Sequence, residues 1–229
     1  MKKIFLYLFI LAGIGVLAAD YSNAQLLYLI CKPAIMITLG LHYWVMMRSP
    51  GKPVSTSLVL AMLFSCAGDV LLMLQSKNQN FFMFGLGAFL VAHIFYILTY
   101  KQHQSGDTTH ELQGLQKIRY AFPIVLSGTG LVVILYGRLG GLKIPVLIYA
   151  AVLTGMVLAA LFRFGKTSTA SFAMVFGGAI LFMISDSLIA VNKFLEVLPM
   201  AGFWIMATYI AAQYLIVTGL SNHKTEPSY

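Results

Sequence analysis

Four ionisable residues stand where such groups are costly. Lys32, Asp69, His93 and Asp186 fall inside long apolar stretches of a 229-residue chain. An Asp or Lys in the middle of a membrane helix costs at least roughly 2.5–3.5 kcal/mol, so these groups persist only where they face one another or a polar cavity. Two carboxylates in unlike surroundings can divide the roles of acid and base. An ammonium closer to one of them would keep that one ionised and leave the other as the acid. Which is which stays open at this level. The same residue types also build proton relays, substrate paths and buried salt bridges that only fix packing.

Neighbours at helical spacing widen the polar face. Tyr28 precedes Lys32 by four residues, Tyr96 and Tyr100 follow His93 by three and seven, and Tyr209 and Gln213 stand four apart. Any one of these makes an ordinary interhelical hydrogen bond. Their alignment with four ionisable groups is what singles them out. Pro33, next to Lys32, frees the carbonyl of Leu29 and predicts a kink with space beside the ammonium. Cys31 and Cys66 read as small apolar packing residues. Asp, Asp and His are legitimate ligand types, but no tight metal-binding spacing accompanies them. No metal and no cofactor is expected.

The elements that position these residues follow from composition. The chain is 59% hydrophobic and 10% charged, against roughly 25% charged in soluble domains. A span needs about 20 mostly apolar residues, and the sequence offers eight: 4–19, 24–47, 56–75, 80–100, 120–137, 143–163, 169–191 and 199–220. The expected fold is an all-α bundle of about eight transmembrane helices forming a single integral membrane domain over 1–229. The longest connection, 101–119, is polar and solvated. Met1-Lys2-Lys3 before an apolar run imitates a secretory signal, but a retained first span gives an even helix number and a consistent charge bias. With the N-terminus inside, Lys2, Lys3, Arg48, Lys52, Lys101, Lys117, Arg119, Arg163, Lys166 and Lys224 lie in the cytoplasm. Lys77, Arg138, Lys143 and Lys193 lie outside. This excess predicts a multi-pass protein of the cell (bacterial inner) membrane with both termini cytoplasmic. Lys32, Asp69 and Asp186 then sit within ~8–12 Å of the outer boundary, at a rise of 1.5 Å per residue. His93 lies nearer the midplane. The groups could converge on one pocket. The scattered basic residues serve topology, and no nucleic acid partner is implied.

A weak internal repeat is visible. Ser65-Cys66-Ala67-Gly68-Asp69-Val70-Leu71-Leu72 is similar to Met183-Ile184-Ser185-Asp186-Ser187-Leu188-Ile189. Each is followed by a helix with polar groups, His93 and Tyr96 in one case and Tyr209 and Gln213 in the other. Spans three and seven run in the same direction, so a parallel four-plus-four repeat about an axis along the membrane normal is expected.

Several motifs, in order and on successive spans, resemble the YhhN family, which includes the animal transmembrane-86-type lysoplasmalogenases. They are Cys31-Lys32-Pro33, Ala67-Gly68-Asp69-Val70-Leu71-Leu72-Met73, Gly85 and Gly87 before Ala92-His93 and Tyr96, and Gly177-Gly178-Ala179 before Phe182, Ser185-Asp186 and Ile189. The resemblance implies a hydrolase that cleaves the vinyl-ether bond of lysoplasmalogens to a fatty aldehyde and a glycerophospho head group. A lysophospholipid would be the substrate and membrane lipids the surroundings. The family's polar positions fall on Lys32, Asp69, His93, Tyr96 and Asp186; Tyr28, Tyr209 and Gln213 come from spacing alone. Asp69 and Asp186 are then the expected catalytic pair. His93 would relay a proton or bind the phosphate, Tyr96 would orient, and Lys32 would tune one carboxylate. On residues alone, a proton-coupled transporter and a non-catalytic lipid-binding protein remain open. A serine hydrolase is disfavoured by the lack of a Gly-x-Ser-x-Gly elbow.

Overall fold

In the computed structural model, residues 3–48, 53–104 and 111–222 are described. Lys2, Lys52 and Lys224, which enter the charge count above, and positions 105–110 of the long connection lie outside them. Among the described residues there are eight long helices and no strand: α1 (Ile4–Tyr21), α2 (Gln25–Met47), α3 (Thr56–Met73), α4 (Asn80–Gln102), α5 (Leu115–Leu135), α6 (Lys143–Leu161), α7 (Thr169–Phe194) and α8 (Ala201–Ser221). All eight are long and apolar enough to cross a membrane. Their outer faces carry large apolar side chains such as Leu11, Ile30 and Val133, exposed by 65%, 61% and 74%. In water such a surface would aggregate. In lipid it is the matching solvent, and the helix form satisfies every backbone group internally.

Short turns join α1 to α2, α3 to α4, α5 to α6 and α7 to α8 at one end of the bundle, the short-turn face. The start of α1 and the end of α8 lie at the other, terminal face. Two boundaries differ from the sequence reading. Helix α5 begins at Leu115, so Lys117 and Arg119 belong to its first turns and not to the loop. Helix α7 runs on to Phe194, which puts Asp186 eight residues from its end, about 12 Å deep at 1.5 Å per residue. Pro33 sits inside α2, which continues through it. The thiol of Cys66 faces the Pro33 carbonyl at 3.9 Å, and both cysteines are free.

The packing repeats as the motifs do. Helix α3 pairs most closely with α4, and α7 with α8; α2 lies against α3 and α8, while α6 lies against α7 and α4. Shifting each number by four carries one set of neighbours onto the other. Helices α3 and α7 also start alike. The Ser55 hydroxyl accepts from the Leu58 amide at 3.4 Å, and the Ser168 hydroxyl from the Ser171 amide at 3.3 Å, each satisfying an orphan N–H of a first turn. Close approach within the pairs depends on glycine. A Cβ on Gly178 of α7 would stand 2.9 Å from the Ala212 carbonyl oxygen and 3.0 Å from the Ile216 nitrogen of α8. Small residues at such contacts let membrane helices meet backbone to backbone.

Candidate active site

The repeat builds two half-sites, each with an Asp on the first helix of a tight pair. In one, Asp69 of α3 accepts a hydrogen bond from the Tyr209 hydroxyl of α8 at 2.6 Å. The Lys32 ammonium of α2 stands 3.9 Å from its other oxygen. Lys32 also donates to the Tyr28 hydroxyl, one turn earlier, at 3.3 Å. In the other half-site, Asp186 of α7 accepts from the Tyr149 hydroxyl of α6 at 2.5 Å, and His93 Nε2 of α4 lies 3.7 Å away. Helices α8 and α4 are equivalent in the repeat, as are α2 and α6. The scaffold therefore presents each carboxylate to matching neighbours but differs in what they supply: an ammonium and a phenol beside Asp69, a phenol and an imidazole beside Asp186. Asp69, Asp186, Lys32 and His93 are all buried.

The half-sites do not touch directly. Phe89 and Phe182 stand between them. The Phe182 ring meets His93 at 4.8 Å and Tyr209 at 5.5 Å, and Phe89 meets Tyr209 edge-on at 6.0 Å. Phe89 fits because its neighbour is glycine: a Cβ on Gly68 would lie 2.5 Å from the ring. The residue before Asp69 is thus kept small so that an aromatic wall can close over it.

On the other side of that wall a narrow cleft opens between α4, α5, α6 and α7. Its lining is apolar (Leu72, Phe82, Leu86, Phe89, Leu131, Leu135, Val146, Leu153 and Phe194 among others), and its polar members are Tyr149, Asp186 and Ser187. Helix α5, which forms one side, is packed mainly on α6 and little on α7. At the cleft mouth on the short-turn face, Arg138 donates to the Leu195 carbonyl at 2.9 Å. The Lys193 ammonium lies 5.0 Å over the Phe82 ring, and Lys143 lies 4.5 Å over Tyr136.

The remaining residues singled out by spacing fall deeper. The Tyr96 hydroxyl donates to Gln213 Oε1 at 2.5 Å, so Tyr96 is joined to α8 and not to His93 or either carboxylate. Sequence reasoning missed three features. Tyr149 is a tyrosine near a span end, which reads as an interfacial aromatic; its depth, level with Asp186, was the available signal. The Phe89–Phe182 wall carries no spacing signature among so many aromatics. Arg163, placed at the end of span 143–163 and counted with the cytoplasmic basic residues, is fully buried. No group of three or more His, Cys, Asp or Glu side chains able to hold a metal occurs among the described residues.

The fold and the site define a multi-pass helical membrane protein with a buried pair of carboxylate half-sites beside an apolar cleft. The chain belongs to the YhhN family, whose model matches residues 27–220. It is 29% identical over 167 residues to the lysoplasmalogenase TMEM86A of Bos taurus, covering 72% of this chain and 65% of that protein. It is 33% identical over 169 residues to a lysoplasmalogenase of Mycobacterium tuberculosis (strain CDC 1551 / Oshkosh), covering 71% and 59%. The match to the lysoplasmalogenase TMEM86B of Mus musculus is 29% identical over 187 residues, covering 82% and 71%. The aligned stretch thus spans less than two thirds of the first two relatives. No solved structure matches the chain.

Proposed function

We propose that this protein is a membrane-embedded hydrolase of lysoplasmalogen-type lysolipids. One observation carries the reading: a carboxyl group, Asp186, lies against Tyr149 in a cleft between helices that is otherwise almost wholly apolar. A packing residue has no use for such a cleft, whereas a lysolipid tail does. The basic residues at the mouth, Arg138, Lys143 and Lys193, suit a phosphate head group held at the membrane surface.

The chemistry follows from charge balance. Asp69 has Lys32 beside it and acts as the carboxylate. Asp186 has a phenol and an imidazole and no ammonium or guanidinium within 4.0 Å among the described residues; it acts as the acid. Asp186 delivers its proton to the outer carbon of the vinyl ether, which leaves an oxocarbenium ion at the carbon bonded to oxygen. Water adds there and loses a proton, giving a hemiacetal. The hemiacetal breaks its C–O bond to the glycerol side, yielding a fatty aldehyde and a free glycerol hydroxyl. Asp69 stabilises the cation and takes the proton of the attacking water, and Phe89 turns aside for it to reach the linkage. His93 and Tyr149 hold Asp186 in place. Excess basic residues on the terminal face support both termini in the cytoplasm of a bacterial inner membrane, with the cleft opening on the outer half of the bilayer.

The test is direct. Purified protein in detergent, given a lysoplasmalogen, releases fatty aldehyde, and Asp186→Asn does not. Lipid recovered intact, with wild-type protein folded, refutes the reading. Cleavage of an ester analogue alone reassigns the bond.

A further inference from the structure

Behind the Phe89 wall, a line of polar groups runs on through the core of the bundle from the Asp69 half-site. Three helices each contribute two polar residues one turn apart: Ser65 and Asp69 on α3, Tyr96 and Tyr100 on α4, Tyr209 and Gln213 on α8. Tyr209 bonds Asp69, and Gln213 sits one turn below Tyr209 and accepts from Tyr96. Ser65 lies beside Tyr96. The Tyr96 and Tyr100 rings are 6.1 Å apart, and Tyr100 neighbours the Arg163 guanidinium. Arg163 donates to the His103 carbonyl at 3.2 Å and to the Ser171 hydroxyl at 3.0 Å, at the terminal face.

Four buried atoms on this line lack a hydrogen bond of good geometry: Ser65 Oγ and Gln213 Nε2, which only approach the Tyr96 and Tyr209 hydroxyls, and Tyr100 Oη and Arg163 Nη1. Their residues are fully buried. Burial lowers the Arg163 pKa to about 10, which leaves it charged at neutral pH. Stranded polar groups are costly one at a time, and four along one axis point to a shared remedy. Buried water with two to four polar partners is that remedy in protein interiors, and polar side chains at membrane depth are tolerated where they line water.

We propose that a file of bound water runs from Arg163 past Tyr100, Tyr96, Ser65 and Gln213 to Asp69, entering from the terminal face. On the hydrolase reading, on which this role rests, the file supplies the attacking water and carries its proton away, while the lipid enters by the apolar cleft on the other side of Phe89. The two reactants then reach the linkage from opposite directions, and the cleft stays dry.

Hydroxyl-radical footprinting by X-ray radiolysis, on the full chain in lipid nanodiscs, tests the file without reference to activity. Radicals form from water in place, so Tyr96 and Tyr100 are labelled at rates like that of Tyr120, which is 52% exposed. Phe9, buried but off the line, stays unlabelled. Protection of Tyr96 and Tyr100 to the level of Phe9 overturns the file and leaves the aldehyde assay untouched. Tyr100→Phe tests the direction: labelling of Tyr96 falls toward that of Phe9 if water enters past Arg163. Undiminished Tyr96 labelling in that variant overturns entry from the terminal face. The wild-type measurement stands alone should the variant fail to fold.

Discussion

The Lys32–Asp69 pair gives the sharpest test of the half-site electrostatics. At 3.9 Å, two unit charges attract by about 4 kcal/mol when the effective dielectric constant is about 20. Both residues are buried, so removing one strands the other, and breaking a buried pair costs about 3–5 kcal/mol. The two figures agree. For a chain of this size each kcal/mol moves the midpoint by about 2–4 °C, so Lys32→Met should lower it by roughly 8–16 °C. Asp69→Asn should lower it less, because Tyr28 still accepts from the ammonium. The double variant places two neutral groups face to face and should recover most of the loss. Thermal unfolding in detergent, followed by far-ultraviolet circular dichroism, reads all four proteins. A double variant whose loss equals the sum of the two single losses would show that the charges do not interact, and the division of roles between the two carboxylates would fall with it.

Three further outcomes are expected. A positioned general acid contributes about 10²–10⁴-fold, so Asp186→Asn should cut aldehyde release by that factor, and Tyr149→Phe, which removes the 2.5 Å bond, by less; equal rates in the two variants would mean that Tyr149 is as essential as the acid itself. Gly68→Ala brings a methyl within 2.5 Å of Phe89 and drives the ring into the cleft, so turnover of long-chain substrates should fall more than that of short-chain ones in a chain-length series. Gly178→Ala presses a methyl on the α8 backbone and should cost about 1–3 kcal/mol by overpacking, read as a lower unfolding midpoint; Gly177→Ala, whose Cβ meets nothing within 4 Å, is the control and should be neutral.

The bundle was legible because lipid imposes a simple rule: every crossing must be a long apolar helix, and eight such runs can be read directly. The ionisable residues stood out for the same reason, since their cost in hydrocarbon makes each one conspicuous. The pairing of α3 with α4 and α7 with α8 was foreshadowed by the repeated Asp motifs. What could not be read is how side chains turn across helix interfaces. Lys32 and Asp69 were both visible, but only the packing of α2 on α3 decides that the ammonium serves this aspartate and not Asp186. Tyr149 has no distinguishing spacing on α6. Phe89 and Phe182 divide the two half-sites through ring orientation, which sequence does not encode by period. Arg163 lay at a span end, where basic residues normally reach solvent, and its burial depends on the carbonyl of His103 and the hydroxyl of Ser171 meeting it.

A scaffold doubled onto itself would, left alone, make twins. Two aspartates held at equivalent posts would share every property, and neither could be told to give a proton while the other withholds one. The cation from α2 against the phenol from α6, and the phenol from α8 against the imidazole from α4, break that sameness. On the proposed mechanism, which acid leads and which follows is therefore set not by the aspartates but by the helices that flank them. On that mechanism, trading Lys32 and Tyr149 should move the acid role toward Asp69 without touching either carboxyl group.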